Sequence, residues 1–223
     1  MKPSKTDLVL EIPRAALEII ALPFASYLNN VPAGGAHPIL VLPGFMGGDS
    51  STYFLRRYLS SLGHVVYGWG QGANLGPQDH IVEHMEERFE HIYSSHGEPV
   101  TIIGHSLGGA YARKIAKDEE DKVRSIITLG SPVHMPEVPT FVVDLFTKLN
   151  SAIPVEWVED LEHPPCCPTT LIYTKSDGIL HPKHVLQPNC PSNVVQIEVK
   201  GSHTGLGCNP STLYTIAIAL SFT

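Results

Sequence analysis

Short apolar runs alternate along this chain with longer stretches whose apolar residues recur every three or four positions. HPILVLPGF (37–45), HVVYGWG (64–70), PVTIIGHS (99–106), VRSIITLGSP (123–132), PTTLIYTKSDG (168–178) and NVVQIEVKG (193–201) read as strands. They are brief, rich in Val and Ile, and broken off by Gly, Pro or Asp. Between them STYFLRRYLSSLG (51–63), DHIVEHMEERFEHIYSSHG (79–97) and LGGAYARKIAKDEE (107–120) carry helical spacing, and STLYTIAIALSF (211–222) closes the chain as an apolar helix. Such alternation predicts an α/β fold: a mostly parallel sheet of about six strands, helices on both faces and right-handed crossovers. Sites in such sheets gather beyond the carboxyl ends of the strands. The loops after Val41, Ile103, Thr128, Tyr173 and Val199 are therefore the places to search.

Two segments stand outside the alternation. Residues 1–35 form an N-terminal extension in which an amphipathic helix is expected from about Pro13 to Leu28, laid on the core. Asp7, Glu11, Arg14, Glu18, Pro13 and Pro23 interrupt its apolar run, so it fails both as a signal peptide and as a membrane span. A cytoplasmic location is expected on that ground, with a secreted mature form as the alternative. Residues 133–167 form an insert with one helix at about 139–151 and a Pro-rich return. Phe141, Leu145, Phe146, Leu149 and Trp157 give it more apolar weight than a plain loop needs. It reads as a small cap, either packed on the domain or serving as a lid over an apolar pocket.

Composition narrows the classes. At 223 residues the chain suits a single domain, 1–223, able to bury its own core. A formal charge of −7 argues against a nucleic-acid partner, which calls for a basic face. Four cysteines, at 166, 167, 190 and 208, do not make a disulfide scaffold. One bridge, such as Cys190 to Cys208, remains open, while Cys166 and Cys167 read as small apolar residues.

The chemistry begins at GHSLGG (104–109), where a strand reading meets a helix reading. A bare G-x-S-x-G would arise by chance about 0.1 times in a chain of this composition, so the pattern alone is a weak signal. Its position in the alternation adds the weight. A serine on such a sharp turn needs small residues at minus two and plus two, which Gly104 and Gly108 supply around His105 and Ser106. The turn lifts the Ser106 hydroxyl above the sheet and aims the Leu107 amide, at a helix N-terminus, towards developing negative charge.

A serine alcohol needs a base, and the base needs a group that holds its tautomer. His203, in KGSHTGLG after the last strand, is the expected base, with His134 in reserve. His163, His181 and His184 sit among prolines and polar residues and read as surface positions. Asp177, ending the run LIYT in a Lys-Ser-Asp-Gly turn, is the expected acid. Asp160, Glu159 and Glu162 in the insert are alternatives, and Asp144 reads as helix surface. The loop LPGFMGGDSST (42–52) offers Phe45 N–H as a second oxyanion donor beside Leu107 N–H. Met46, Phe141, Leu145, Phe146 and Leu149 are expected to line the substrate pocket and lid. His80, His84 and His91 share a helix but lack the H-E-x-x-H pattern, so a solvated face is read there and no metal. GWGQGANLG (68–76) has no P-loop lysine and reads as a loop near the rim of the site.

The motifs LPGFMGGDSSTYFLRRYLSSLG, GHSLGGAYAR, ITLGSPV, YTKSDGIL and GSHTGLGCNP, in that order, resemble a small bacterial lipase/esterase of the α/β-hydrolase superfamily. They are also similar to the catalytic domain of GPI-inositol-deacylase-like enzymes. The resemblance covers about residues 36–223. It implies the α/β-hydrolase fold, Ser106 as nucleophile, Asp177 as acid, His203 as base, and the Phe45 and Leu107 amides as oxyanion donors. Many lipases carry His-Gly where this chain has Pro43-Gly44, a change that leaves the backbone donor at Phe45 in place.

The expectation is thus a serine carboxylic-ester hydrolase acting on a small-molecule or lipid ester. It needs no cofactor or metal, favours short- to medium-chain acyl groups, and admits transient contact with a membrane or lipid surface. A thioesterase or acyltransferase with the same triad is the alternative. A non-catalytic binding module is the reading from another class.

Overall fold

The strand readings all become strands, and they join into one sheet. The computed structural model describes residues 3–32, 35–134, 137, 139–150 and 161–223. Strands β1 (Pro38–Leu42), β2 (Val65–Gly68), β3 (Val100–His105), β4 (Val123–Leu129), β5 (Thr169–Tyr173) and β6 (Val194–Glu198) pair in the order β2-β1-β3-β4-β5-β6, every pair parallel. The order reverses between β1 and β3, which opens a crevice beyond their carboxyl ends.

The central strands are continuous apolar runs because each feeds two cores. Leu40, Leu42, Ile102 and Ile126 meet Ile81, Met85, Phe89 and Ile92 of α3 (Asp79–His96) and Tyr111, Ala112 and Ile115 of α4 (Leu107–Asp118). The alternating residues Ile39, Val41, Ile103 and Ile127 face the other way. They meet Leu55 and Leu59 of α2 (Tyr53–Ser61) and Leu213, Ile216 and Leu220 of the last helix, α6 (Pro210–Leu220). The two-residue period of the strand thus sorts neighbours onto opposite layers. Edge positions relax this, with Val65 and Val195 exposed.

Helix α5 (Thr140–Leu149) stands where the insert is read to hold one. Trp157, Glu159 and Asp160 of the insert lie outside the described residues.

The N-terminal helix differs from expectation in both limits and facing. It spans Lys5–Ala21 as α1, capped by the Ser4 side chain, which accepts from the Asp7 amide at 3.2 Å. The helix runs through Pro13 at the loss of one intrahelical bond and tightens to a 3-10 turn at Leu22–Phe24 as Pro23 arrives. Glu11 and Ala15 are its buried residues, whereas Val9, Ile12, Leu17 and Ile20 are exposed. A helix normally buries its apolar stripe; this one turns its charged stripe inward because that stripe has partners there. No helix among the described residues is long and apolar enough to cross a membrane.

The bridge left open between Cys190 and Cys208 is not formed, and all four thiols are free. Cys208 is buried with Sγ 3.2 Å from the Gly205 carbonyl, while exposed Cys190 lies 3.2 Å from the Val194 carbonyl. Cys166 is exposed too, and Cys167 packs half-buried against the core.

Candidate active site

At the β3–α4 junction Ser106 adopts φ 51° and ψ −119°, a left-handed conformation that side chains rarely take. A Cβ on Gly104 would overlap the Gly108 carbonyl, and one on Gly108 would overlap the Leu42 carbonyl and stand 2.8 Å from that of Pro43. Gly44 brings the β1 loop equally close, since a Cβ there would stand 3.0 Å from that of Ser106. Both glycines of G-x-S-x-G are thus demanded by neighbouring backbone. The Ser106 amide donates to the Leu129 carbonyl at 2.8 Å, tying the elbow to the end of β4. Leu107 opens α4, so its N–H has no acceptor within the helix.

Asp177 and His203 meet at the same corner. The Nδ1–H of His203 donates to Asp177 Oδ2 at 2.7 Å, and both side chains are buried. Asp177 Oδ1 accepts from the amides of Ile179 (2.8 Å) and Leu180 (2.6 Å), so the carboxylate is held at both oxygens. The pair packs over Gly130, where a Cβ would stand 3.1 Å from His203 Nδ1 and 3.4 Å from Asp177 Oδ2. Gly130 follows Leu129, whose carbonyl holds Ser106. One glycine therefore joins the elbow and the Asp–His pair.

Electrostatics distinguish the two histidines of this corner. Burial opposes charge on His203, yet the Asp177 charge, the hydrogen bond to it and the charge of Glu11 together hold its pKa above the ordinary value. His105 is pushed down to about 4 by lost hydration and by the charge of His203. It is thus neutral near pH 7, and its Nε2 lies 2.9 Å from the His203 carbonyl with the two rings 5.2 Å apart.

The alternatives for base and acid are placed elsewhere. His134, the reserve base, lies 3.7 Å from Glu162, an alternative acid, and His181 accepts from the Lys183 amide. Asp144 and His163 are exposed as read, whereas His184, read as a surface position, is buried. His80, His84 and His91 stay exposed on α3.

The loop after β1 has an anchor that sequence reasoning missed. Asn74 is fully buried. Its amide donates to Gly47 O and its carbonyl accepts from the Met46 amide, both at 2.7 Å. Its Nδ2 donates to Pro43 O at 2.8 Å, and its Oδ1 accepts from Gly76 N–H and the Tyr111 hydroxyl. The loop carrying Phe45 is therefore gripped on both sides, and the rim loop 68–76 gains a purpose. Asp49 extends the grip, its carboxylate accepting from the Trp69 amide at 2.9 Å and the Gly70 amide at 3.1 Å. An Asn set among glycines is the only signal the sequence carries for this.

Of the five residues expected to line a pocket, Phe146 packs on Phe45 with ring centroids 5.2 Å apart, and Leu149 is half-buried. Phe141, Leu145 and Met46 are exposed. α5 is pinned beside this wall by Asn150, which donates to Leu75 O at 2.8 Å, and by Gln78, which donates to Leu149 O at 3.3 Å. Two surface hollows, of about 590 and 370 Å³, lie apart from Ser106, Asp177 and His203.

A parallel sheet with this strand order and a serine elbow after its third strand in chain order define an α/β-hydrolase fold. A family model for the PGAP1-like alpha/beta domain matches residues 70–184, just over half of the chain. The chain belongs to that family. Among solved structures, one of the metagenome-derived lipolytic enzymes LipS and LipT is similar with TM-score 0.63 at 14% identity, covering 85% of this chain and 94% of that one. An extracellular alpha/beta-hydrolase from a Paenibacillus species gives 0.60 at 15%, covering 83% and 99%. A monoacylglycerol lipase of Paleococcus ferrophilus gives 0.59 at 16%, covering 82% and 95%. At such identities the likeness is one of fold.

Proposed function

We propose that the chain is a serine carboxylic-ester hydrolase, with Ser106 as nucleophile, His203 as base and Asp177 as acid. The observation that carries this is the buried His203–Asp177 pair, set over Gly130 beside the carbonyl that holds the Ser106 elbow. With Nδ1–H committed to Asp177, Nε2 is the basic nitrogen of His203. It takes the Ser106 proton as Oγ bonds to the ester carbonyl carbon. The carbonyl oxygen becomes an oxyanion between the Phe45 and Leu107 amides. Collapse breaks the bond to the alcohol, which leaves with the proton from His203. Water then gives a proton to His203, attacks the acyl-enzyme and releases the acid, and the proton returns to Ser106.

The lipolytic neighbours support an ester substrate, and the Phe45–Phe146 contact supports an apolar wall for the acyl chain. Short- to medium-chain esters are the favoured class, and the exposed apolar face of α1 favours substrate met at a lipid surface. The test is hydrolysis of p-nitrophenyl esters from two to sixteen acyl carbons, with a fluorophosphonate label mapped by mass spectrometry. One label per chain, at Ser106, with turnover peaking at an intermediate chain length, is expected. A chain that neither labels nor turns over any ester is a binding module, and transfer to an added alcohol or thioester preference marks the related chemistries.

Asn74→Ala removes the bonds to Pro43 O, Gly76 N–H and the Tyr111 hydroxyl. Loosening of the Phe45 donor by about 1 Å should lower kcat on the order of 10²-fold, with Ser106 still labelled. Steady-state kinetics giving wild-type kcat would remove Asn74 from the oxyanion loop's support.

A further inference from the structure

The charged stripe of α1 meets the two loops that carry Asp177 and His203. Glu11 is 3% exposed. Its Oε1 accepts from the Gly178 amide at 2.7 Å and the His203 amide at 3.1 Å, and its Oε2 from the Thr204 amide at 2.9 Å. One turn further along, Arg14 donates to Ser176 O at 3.1 Å, and a turn beyond that Glu18 accepts from the Ser202 amide at 2.7 Å and the Ser202 hydroxyl at 3.2 Å. Contact is close enough that a Cβ on Gly178 would stand 2.6 Å from the Asp7 and Leu8 backbone.

Neutral side chains would suffice merely to dock a helix. A buried carboxylate is costly unless its oxygens are satisfied and an opposite charge is near. Three backbone donors satisfy Glu11. The bonds of Arg14 go to Asp7 and Ser176 O, and among the described residues His203 is a group whose positive charge Glu11 favours.

We propose that Glu11 is a positioning residue for the triad: its carboxylate locks Gly178, His203 and Thr204 together and lends His203 a second negative charge beside Asp177. The N-terminal helix is on this view part of the active site. The inference rests on the ester-hydrolase reading above. The groups around His203 agree with it. Asp177 and Glu11 favour the imidazolium, and His105 is neutral. Cys208, pushed up to about 12 by burial and by Glu18, is neutral too. Glu18 itself is pushed upward by burial against the hydrogen bonds from Ser202. Since a negative charge favours the protonated ring, removing that of Glu11 lowers the His203 pKa. The acid limb of kcat/KM then moves to lower pH, while kcat falls because the imidazolium formed in the transition state is less stabilised.

The experiment compares the full chain with Glu11→Gln, Glu11→Asp, Thr6→Ala and Ser106→Ala, using p-nitrophenyl butyrate and fluorophosphonate titration of active sites. Glu11→Gln is expected to lose on the order of 10²-fold in kcat per titrated site, at nearly unchanged KM, with its acid limb at lower pH. Glu11→Asp keeps the charge and shortens the reach, so its limb stays in place and its kcat falls less. Thr6→Ala, at an exposed polar position of the same helix, changes neither. The proposal is overturned if Glu11→Gln keeps the wild-type per-site kcat and limb, including when total activity drops only as titratable sites and Tm drop. Should Glu11→Gln not fold, wild-type per-site kcat in Glu11→Asp overturns it instead. An active Ser106→Ala, or an unlabelled wild type, defeats the ester-hydrolase reading whatever position 11 does.

Discussion

Ser106→Ala is expected to lower kcat for ester hydrolysis by about 10⁶-fold, the loss typical of removing a nucleophile whose base then has no proton to take. The change deletes one oxygen. Alanine keeps the Cβ that already tolerates φ 51° at this position, and the Ser106 amide keeps its bond to Leu129 O. Tm should therefore stay within a few degrees of wild type, and KM should change little. Fluorophosphonate labelling should vanish. Single-turnover kinetics with a p-nitrophenyl ester would show no burst, and the remaining rate over water would come from the oxyanion donors and binding. A variant that retains more than about a hundredth of wild-type kcat, beyond contamination, is incompatible with Ser106 as nucleophile.

Asp177→Asn should cost on the order of 10⁴-fold in kcat. Asparagine has the same shape, and its oxygen can still accept from the Ile179 and Leu180 amides. The difference falls on the other side, where an NH₂ would face His203 Nδ1 in place of an acceptor oxygen. The ring then takes the tautomer with the proton on Nε2, the wrong nitrogen for accepting one from Ser106. The pH profile carries a second signature. Against the pull of burial, the Asp177 charge and hydrogen bond do most, with the charge of Glu11, to hold the His203 pKa above its ordinary value. Their loss moves the acid limb of kcat/KM to lower pH, since the base is then neutral over a wider range. A stopped-flow profile showing under a tenfold loss and an unmoved limb would send the search for the acid elsewhere.

The elbow is legible in the sequence because its constraints come from the turn itself and the adjoining strand. Gly104 and Gly108 collide with backbone only residues away or one strand over, and any strand–serine–helix junction of this kind meets the same collisions. Asp177 and His203 were legible for a related reason, since each follows an apolar run and parallel strands deliver all their carboxyl ends to one side. Asn74 was hidden. Its bonds reach a loop 31 residues away and a helix 37 residues away in sequence, and an Asn in a glycine-rich loop has many bland uses. Phe146 reached the wall at Phe45 as the insert's apolar weight implied, whereas exposed Phe141 shows that apolar spacing alone does not choose an inward residue.

By itself the sequence determined the strands and the helices on both faces of the sheet, and singled out the three candidates on which the proposed chemistry turns, because period and turn signals are properties of neighbours along the chain. Tertiary structure alone decided which face of α1 is buried. Periodicity places Asp7, Glu11, Arg14 and Glu18 on one stripe, but it does not say where that stripe points. The apolar stripe should have won on hydration. Amides 167, 192 and 193 residues away met the Glu11 carboxylate instead, and only the folded chain brings such distant donors to one pair of oxygens.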